Sequence, residues 1–145
     1  MVVKLDISKA YNRVEWTFLQ RMMVKLGFDP NWVQLAMETV TMASYSILIN
    51  GEPRGFVTPT RGIRQGDPLS PYLFLLCAEG LSTLLRKVGE AGVLKEIKSS
   101  QHGVWVSHLL FADDSLLFCQ ATMEEGQRRL QLLKQYKTAS GQAIN

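Results

Sequence analysis

Residues 108–118 read HLLFADDSLLF, an apolar run interrupted by two adjacent acids. The apolar residues on both sides predict a hairpin of two strands, residues 104–112 and 115–119, with Asp113 and Asp114 at its tip. Strands this apolar normally lie in a protein core, so the hairpin places two carboxylates at the edge of a low-dielectric region. Two neighbouring anions in such a place favour cation binding.

Composition restricts the class of protein. The chain has 145 residues, 46% of them hydrophobic, and a net charge of +3, which is typical of one globular domain. Cys77 and Cys119 lie far apart in apolar stretches, so we expect two buried free thiols and no zinc site. No run reaches the ~18 apolar residues of a membrane span and no signal peptide is visible. We therefore expect no membrane partner and a location inside the cell, in the nucleus or the cytoplasm.

Helix and strand patterns alternate along the rest of the chain. The predicted strands outside the acidic hairpin cover residues 2–7, 45–49 and 54–58, the last two joined by a tight turn at Asn50-Gly51. The predicted helices cover residues 15–26, 31–42, 72–88 and a last one, capped by Thr122 with Glu125, that ends near Gly141. This order predicts an α+β fold in which an antiparallel sheet has helices packed mainly on one face.

Two patterns predict which side chains lie in the core. The second helix has an apolar face, which we expect to be buried, formed by Trp32, Leu35, Ala36 and Val40. We also assign to core packing the three tryptophans, Trp16, Trp32 and Trp105.

A third acid, Asp6, ends the first strand. If that strand pairs beside the acidic hairpin, Asp6 converges with Asp113 and Asp114 at one end of the sheet. A site made only of oxygen ligands suits Mg²⁺ or Mn²⁺, and two such ions support phosphoryl transfer. The simpler alternative is a solvated hairpin tip, since Asp is common in turns. A metal-dependent nuclease is a further alternative that uses the same carboxylates.

Three ordered motifs carry a resemblance to a known family. They are KLDISKAYNRV at residues 4–14, RGIRQGDPLSP at 61–71 and FADD at 111–114. Together they resemble the palm of a reverse transcriptase, and the second motif is most similar to the plant-type long interspersed elements among non-long-terminal-repeat retrotransposons. Group II intron enzymes are the nearest alternative. The similarity runs over residues 1–145.

The resemblance implies catalytic and metal-binding residues. Asp6 and Asp113 would bind both catalytic Mg²⁺ ions, which Mn²⁺ can replace, and Asp114 would support the primer-end side of the site. The backbone carbonyl of Ile7 would be a further ligand.

The resemblance also implies nucleotide contacts. Tyr11 matches the position whose ring excludes a 2′-hydroxyl, the alternative being a tyrosine of the core. Gln65 and Gly66 match the loop that lines the nucleotide pocket and approaches the template. Arg61 and Arg64 are weaker candidates for phosphate contact, because exposed arginines are often only solvated.

The function that the resemblance implies is RNA-directed DNA synthesis on an RNA template and a DNA primer, with deoxynucleoside triphosphates as substrates. We expect residues 1–145 to be a partial domain of a larger polyprotein, lacking fingers, thumb and the last palm strand. We therefore expect the isolated chain to be inactive and its sheet to have an unpaired apolar edge. An inactive relic and a nucleic-acid-binding module without catalysis remain as alternatives.

Overall fold

The computed structural model describes residues 1–92, 97–98, 103, 105–111 and 114–145. Its strands are β1 (Val2–Ser8), β2 (Tyr45–Ile49), β3 (Glu52–Val57), β4 (Ile97–Lys98), β5 (Trp105–Val106), β6 (His108–Phe111), β7 (Asp114–Phe118) and β8 (Ala143–Ile144). Its helices are α1 (Trp16–Lys25), α2 (Pro30–Thr41), α3 (Ser70–Glu90) and α4 (Met123–Ser140), with a single 3₁₀ turn at Tyr11–Arg13. None of the helices in the described ranges has the length and hydrophobicity to cross a membrane.

Four strands form one antiparallel sheet in the order β6, β7, β1 and β8. Side chains alternate between the two faces of a strand. On β1, Leu5 and Ile7 are buried on the inner face, whereas Lys4 and Asp6 are exposed on the outer face. The sheet therefore has an apolar inner face and an outer face that carries charge.

Helices α3 and α4 cover the inner face. Leu5 and Leu117 of the sheet share one core cluster with Leu81 and Leu85 of α3 and Tyr136 of α4. Burying each leucine side chain contributes about 2 kcal/mol. A second cluster joins α1, α2 and α3. The predicted α+β fold, with an antiparallel sheet and helices mainly on one face, is confirmed.

The buried face of α2 differs from the prediction. Val33, Ala36 and Val40 are buried, whereas Trp32 is 37% exposed and Leu35 is 60% exposed. Trp32 stacks instead on the ring of Phe28, at 4.8 Å between centroids. The helix carries two overlapping apolar stripes, and packing in the cluster shared with α1 and α3 selects the one that runs through Val33. The predictions for Trp32 and Leu35 were wrong.

The hairpin of β2 and β3 forms around the predicted turn, with β2 at the predicted residues and β3 beginning at Glu52 instead of residue 54. Asn50 and Gly51 have positive φ angles of 52° and 84°, as the tight turn between the strands requires. Every residue of both strands is exposed, and Phe56 is 88% exposed. In the part of the chain that the structure describes, this hairpin presents an uncovered apolar surface.

The acidic hairpin is shorter than predicted. Its strands are β6 and β7, which pair antiparallel with Phe111 opposite Asp114, while Ala112 and Asp113 lie outside the described residues. Trp105 belongs instead to β5, which pairs with β4. Trp105 is 59% exposed, so its assignment to core packing was wrong.

Both ends of α4 follow the predicted signals. The Thr122 hydroxyl accepts a hydrogen bond from the Glu125 backbone N–H at 3.3 Å, and Gly141 ends the helix with a φ of +76°. Beyond Gly141 the sequence predicted no strand, yet β8 forms there and pairs with Ile7 and Ser8 of β1. β8 therefore covers β1 at these two residues, and the expectation of an unpaired apolar sheet edge does not hold there.

Both cysteines are free and buried, as predicted. Burial raises the pKa of the Cys77 thiol to about 12, because the thiolate would lose its hydration. The Cys77 thiol is therefore neutral at physiological pH and belongs to the core.

The loop between β3 and α3 is attached to the turn after β1. The backbone N–H groups of Gly62 and Ile63 donate to the carbonyls of Val14 and Tyr11 at 2.8 and 2.9 Å. The indole N–H of Trp16 donates to the Gly62 carbonyl at 2.7 Å. Gly62 has a φ of +92°, and a Cβ there would lie 2.8 Å from the Asn12 carbonyl oxygen. Only glycine fits this attachment without a shift of backbone.

We expect Gly62→Ala to lower the free energy of unfolding by about 2 to 4 kcal/mol, because the methyl group meets backbone in a strained conformation. Gly66→Ala is the matched control, since Gly66 has a φ of +90° and nothing within 4 Å of an added Cβ. It should lose only about 1 kcal/mol. Urea unfolding followed by tryptophan fluorescence measures both, and equal losses would contradict the close approach.

Candidate active site

Asp6 and Asp114 lie directly opposite each other in the last described residue pair of β1 with β7, at the start of β7. Asp6 exchanges two backbone hydrogen bonds with Asn145 on its β8 side, at 3.2 and 2.9 Å. Because both backbone groups of a strand residue face the same side, Asp6 and Asp114 form a non-hydrogen-bonded pair. The Cα atoms in such a pair are about 4.5 Å apart and the side chains adjacent. Both carboxylates therefore share the outer face at one end of the sheet.

The backbone of Ile7 faces the opposite side from that of Asp6. Since Asp6 faces β8, alternation directs the Ile7 carbonyl to the β7 side, at the end of the sheet where Asp114 lies. The Ile7 side chain is only 5% exposed and holds the strand against the core. This geometry fits the predicted use of the Ile7 carbonyl as an oxygen ligand.

The third predicted acid, Asp113, lies outside the described residues. Within the described ranges there is no group of three or more His, Cys, Asp or Glu side chains able to hold a metal ion. The structure thus brings together two of the three predicted acids, Asp6 and Asp114. Their donor set consists of oxygens on an exposed face, which fits hard cations such as Mg²⁺ and Mn²⁺.

Lys4 is a charged residue of this site that the sequence analysis did not single out. Its ammonium nitrogen lies 3.1 Å from Asp114 Oδ1. The signal was present in the spacing, because Lys4 precedes Asp6 by two residues on a strand and must share its face.

Asn145 also supports the strand that carries Asp6. Besides its backbone bonds to Asp6, its side-chain amide donates to the Ser8 hydroxyl at 2.6 Å. The two residues of β8 are too few to show the alternating pattern of a strand, so the sequence did not predict that Asn145 supports β1.

Tyr11 follows β1 in the 3₁₀ turn. Its ring stacks on Phe74 of α3, with 5.2 Å between centroids and 16° between ring planes. The Tyr11 side chain is partly buried and packs against the second core cluster. Its surroundings are therefore in part those of a core tyrosine, which was the alternative interpretation. The stacking holds the Tyr11 ring against Phe74, and Tyr11 follows Asp6 closely in the sequence.

Gln65 and Gly66 lie in the loop that is attached to this same turn. Both are exposed, and Gly66 adopts a φ of +90° that favours glycine. After them, the Asp67 carboxylate accepts a hydrogen bond from the Leu69 backbone N–H at 2.8 Å and closes the turn into α3. The structure therefore holds both ends of the predicted nucleotide loop and leaves its tip open to solvent.

Arg61 and Arg64 are both exposed on this loop. Arg61 lies 3.5 Å from Glu15 Oε1, a long and solvated contact that leaves the guanidinium accessible. Both arginines line a cavity of about 270 Å³ that lies between the end of α2, the start of β2 and this loop, and Asn12, Tyr45 and Asp67 line it as well. The arginines face solvent there and are not brought to the carboxylate pair by any described contact.

Comparisons with known proteins show which family this chain is similar to. The family model for reverse transcriptase (RNA-dependent DNA polymerase) matches residues 1–145. A Pol polyprotein of the type-1 retrotransposable element R2 from Popillia japonica is 34% identical over 116 residues, which is 80% of this chain and 18% of that protein. An uncharacterized mitochondrial protein of Arabidopsis thaliana is 59% identical over 68 residues, which is 47% of this chain and 56% of that protein. The chain spans only part of the curated relatives it matches.

A solved structure supports the fold independently of sequence. Apo telomerase from Candida tropicalis, truncated from its C-terminal domain, superposes with a TM-score of 0.64 at 13% identity, over 99% of this chain and 30% of that one. The predicted similarity to retrotransposon proteins is confirmed by the R2 relative. With the family model matching its whole length, this chain belongs to the reverse transcriptase family.

Proposed function

We propose that residues 1–145 form the palm of an RNA-directed DNA polymerase that joins deoxynucleotides to a DNA primer on an RNA template. The observation that carries this proposal is the cross-strand pairing of Asp6 with Asp114 on the exposed outer face. Membership of the reverse transcriptase family supplies the reaction class. The reaction forms a bond between the primer 3′-oxygen and the α-phosphorus and releases pyrophosphate.

Divalent cations are the cofactors that this donor set fits. Asp6, Asp113, Asp114 and the Ile7 carbonyl would hold Mg²⁺, or Mn²⁺ in its place. Such an ion would supply Lewis-acid chemistry there, with a lowered pKa of the attacking hydroxyl and neutralised charge on the phosphate. The chain itself contributes a backbone that places the two carboxylates side by side, since β1 is paired with β7 on one side and with β8 on the other.

The remaining predicted residues contact the nucleotide and the nucleic acid in this proposal. Tyr11, held by Phe74, lies under the incoming sugar and excludes a 2′-hydroxyl by steric contact. The exposed Gln65-Gly66 tip approaches the nucleotide and the template base. Arg61 and Arg64 contact backbone phosphate in this proposal.

The domain works as part of a longer polyprotein in this proposal. The R2 relative is named a Pol polyprotein, and this chain matches 18% of it. With a net charge of +3, the 145 residues offer few phosphate contacts, and duplex binding needs several of them. Other segments of the polyprotein then supply most of the contacts that bind the primer and template.

Single-nucleotide addition tests the proposed reaction. The inactivity expected of the isolated chain concerns processive synthesis, so this assay asks only for the first step. With Mn²⁺ and a DNA primer annealed to an RNA template, at concentrations where both are bound, we expect the addition of one or two deoxynucleotides and no processive extension. Asp6→Asn should lower the rate at least about 100-fold, because it removes a charge from the carboxylate pair. Asp29→Asn should keep the rate, since Asp29 caps α2, away from the sheet.

Two outcomes of this assay contradict the proposal. Addition that survives Asp6→Asn shows that the carboxylate pair is not the site of the reaction. No addition by the wild-type chain, at concentrations where primer and template are bound, shows a nucleic-acid-binding module or an inactive relic.

A second assay tests the assigned role of Tyr11. Tyr11→Ala should lower the preference for a deoxynucleotide over the matching ribonucleotide at least about tenfold, because the ring no longer excludes the 2′-hydroxyl. Tyr11→Phe keeps the ring and should keep the preference. The ratio of single-nucleotide addition rates measures both, and a preference that survives Tyr11→Ala assigns Tyr11 to the core alone.

A further inference from the structure

The Lys4 ammonium forms an ion pair with Asp114, one of the two carboxylates of the candidate site. Lys4 and Asp6 share the outer face of β1, and the residue opposite Lys4 on β7 is Leu116. Lys4 therefore reaches diagonally past Leu116 to Asp114, where its nitrogen lies 3.1 Å from Oδ1. The three charged groups form one cluster with a net charge of −1.

The contact between Lys4 and Asp114 is easily exchanged. The Lys4 side chain is 64% exposed and the Asp114 side chain 46% exposed, so water screens their attraction. The lysine side chain is also flexible and can move into solvent without disturbing the strand. A doubly charged ion at the same oxygens attracts the carboxylates more strongly than the ammonium does.

We infer that Lys4 is a built-in competitor of the divalent cation. Without metal, its ammonium neutralises Asp114 and limits repulsion between the two carboxylates. When a divalent cation binds Asp114, its two positive charges repel the ammonium that lies 3.1 Å from Oδ1, so Lys4 is displaced from the carboxylate. Lys4 thus lowers the metal affinity of the site and raises the stability of the metal-free chain. This inference rests on the proposed function, which places the metal at Asp6 and Asp114.

Titration of the purified chain with Mn²⁺, with free ion followed by electron paramagnetic resonance, tests the inference. Lys4→Met keeps an unbranched side chain and removes the charge, so Mn²⁺ should bind roughly two- to fivefold more tightly. Lys4→Arg keeps the charge and should bind close to the wild type. Lys25→Met, in the last turn of α1, is the matched control and should leave the affinity unchanged.

Thermal unfolding in a chelator gives a readout that is independent of bound metal. Without metal, Lys4→Met should unfold at a lower temperature than the wild type. Saturating Mn²⁺ should raise the unfolding temperature of Lys4→Met by more than it raises that of the wild type. Equal or weaker Mn²⁺ binding by Lys4→Met, with the wild type still binding, overturns the role of Lys4 alone. No Mn²⁺ binding by any of these chains overturns the proposed metal site together with this inference.

Discussion

The antiparallel register of β1 against β7 is the constraint on which the rest of the structure depends. It places Leu5 and Leu117 on the face that the helices cover and Asp6 beside Asp114 on the opposite face. A slip of one residue would turn every side chain of β1 to the other face, burying Asp6 and exposing Leu5. Burial of the apolar face therefore fixes the position of the carboxylates, and the acids need no contribution of their own to the stability of the fold.

A second constraint joins this sheet to the loop that contains Gln65 and Gly66. The turn that follows β1 accepts backbone hydrogen bonds from Gly62 and Ile63, and Tyr11 in that turn stacks on Phe74. Any movement of the loop relative to the sheet has to break these contacts. The strand with Asp6, the aromatic ring of Tyr11 and the Gln65-Gly66 tip are thus positioned as one unit by local backbone geometry.

Sequence patterns predicted those parts of the fold whose signals are local. Asn50-Gly51 fixed a turn, and Thr122 and Gly141 marked the ends of α4, because the backbone angles at these positions favour few residue types. The buried face of α2 was mispredicted, since its two apolar stripes differ only in what packs against them. The pairing of β8 was not predicted, because two residues are too few to show the alternating pattern of a strand and their partner, β1, is distant in sequence.

In the candidate site too, single segments predicted some features and could not predict others. The first strand predicted that Asp6 lies at a sheet end, and its pairing beside the acidic hairpin was a hypothesis that the register of β1 and β7 confirms. The contact of Lys4 with Asp114 depends on the diagonal between neighbouring strands, which no single segment encodes. The assigned roles of Tyr11, Gln65, Gly66, Arg61 and Arg64 remain predictions, because they concern ligands and not the fold.

The most direct measurement is Mn²⁺ binding by the wild-type chain, Asp6→Asn and Asp114→Asn, with Asp29→Asn as control. If the paired carboxylates form the cation site, each of the first two variants should bind at least about tenfold more weakly and the control should bind as the wild type does. Equal affinity in all four chains would contradict a cation site at Asp6 and Asp114, because the ion would then bind elsewhere.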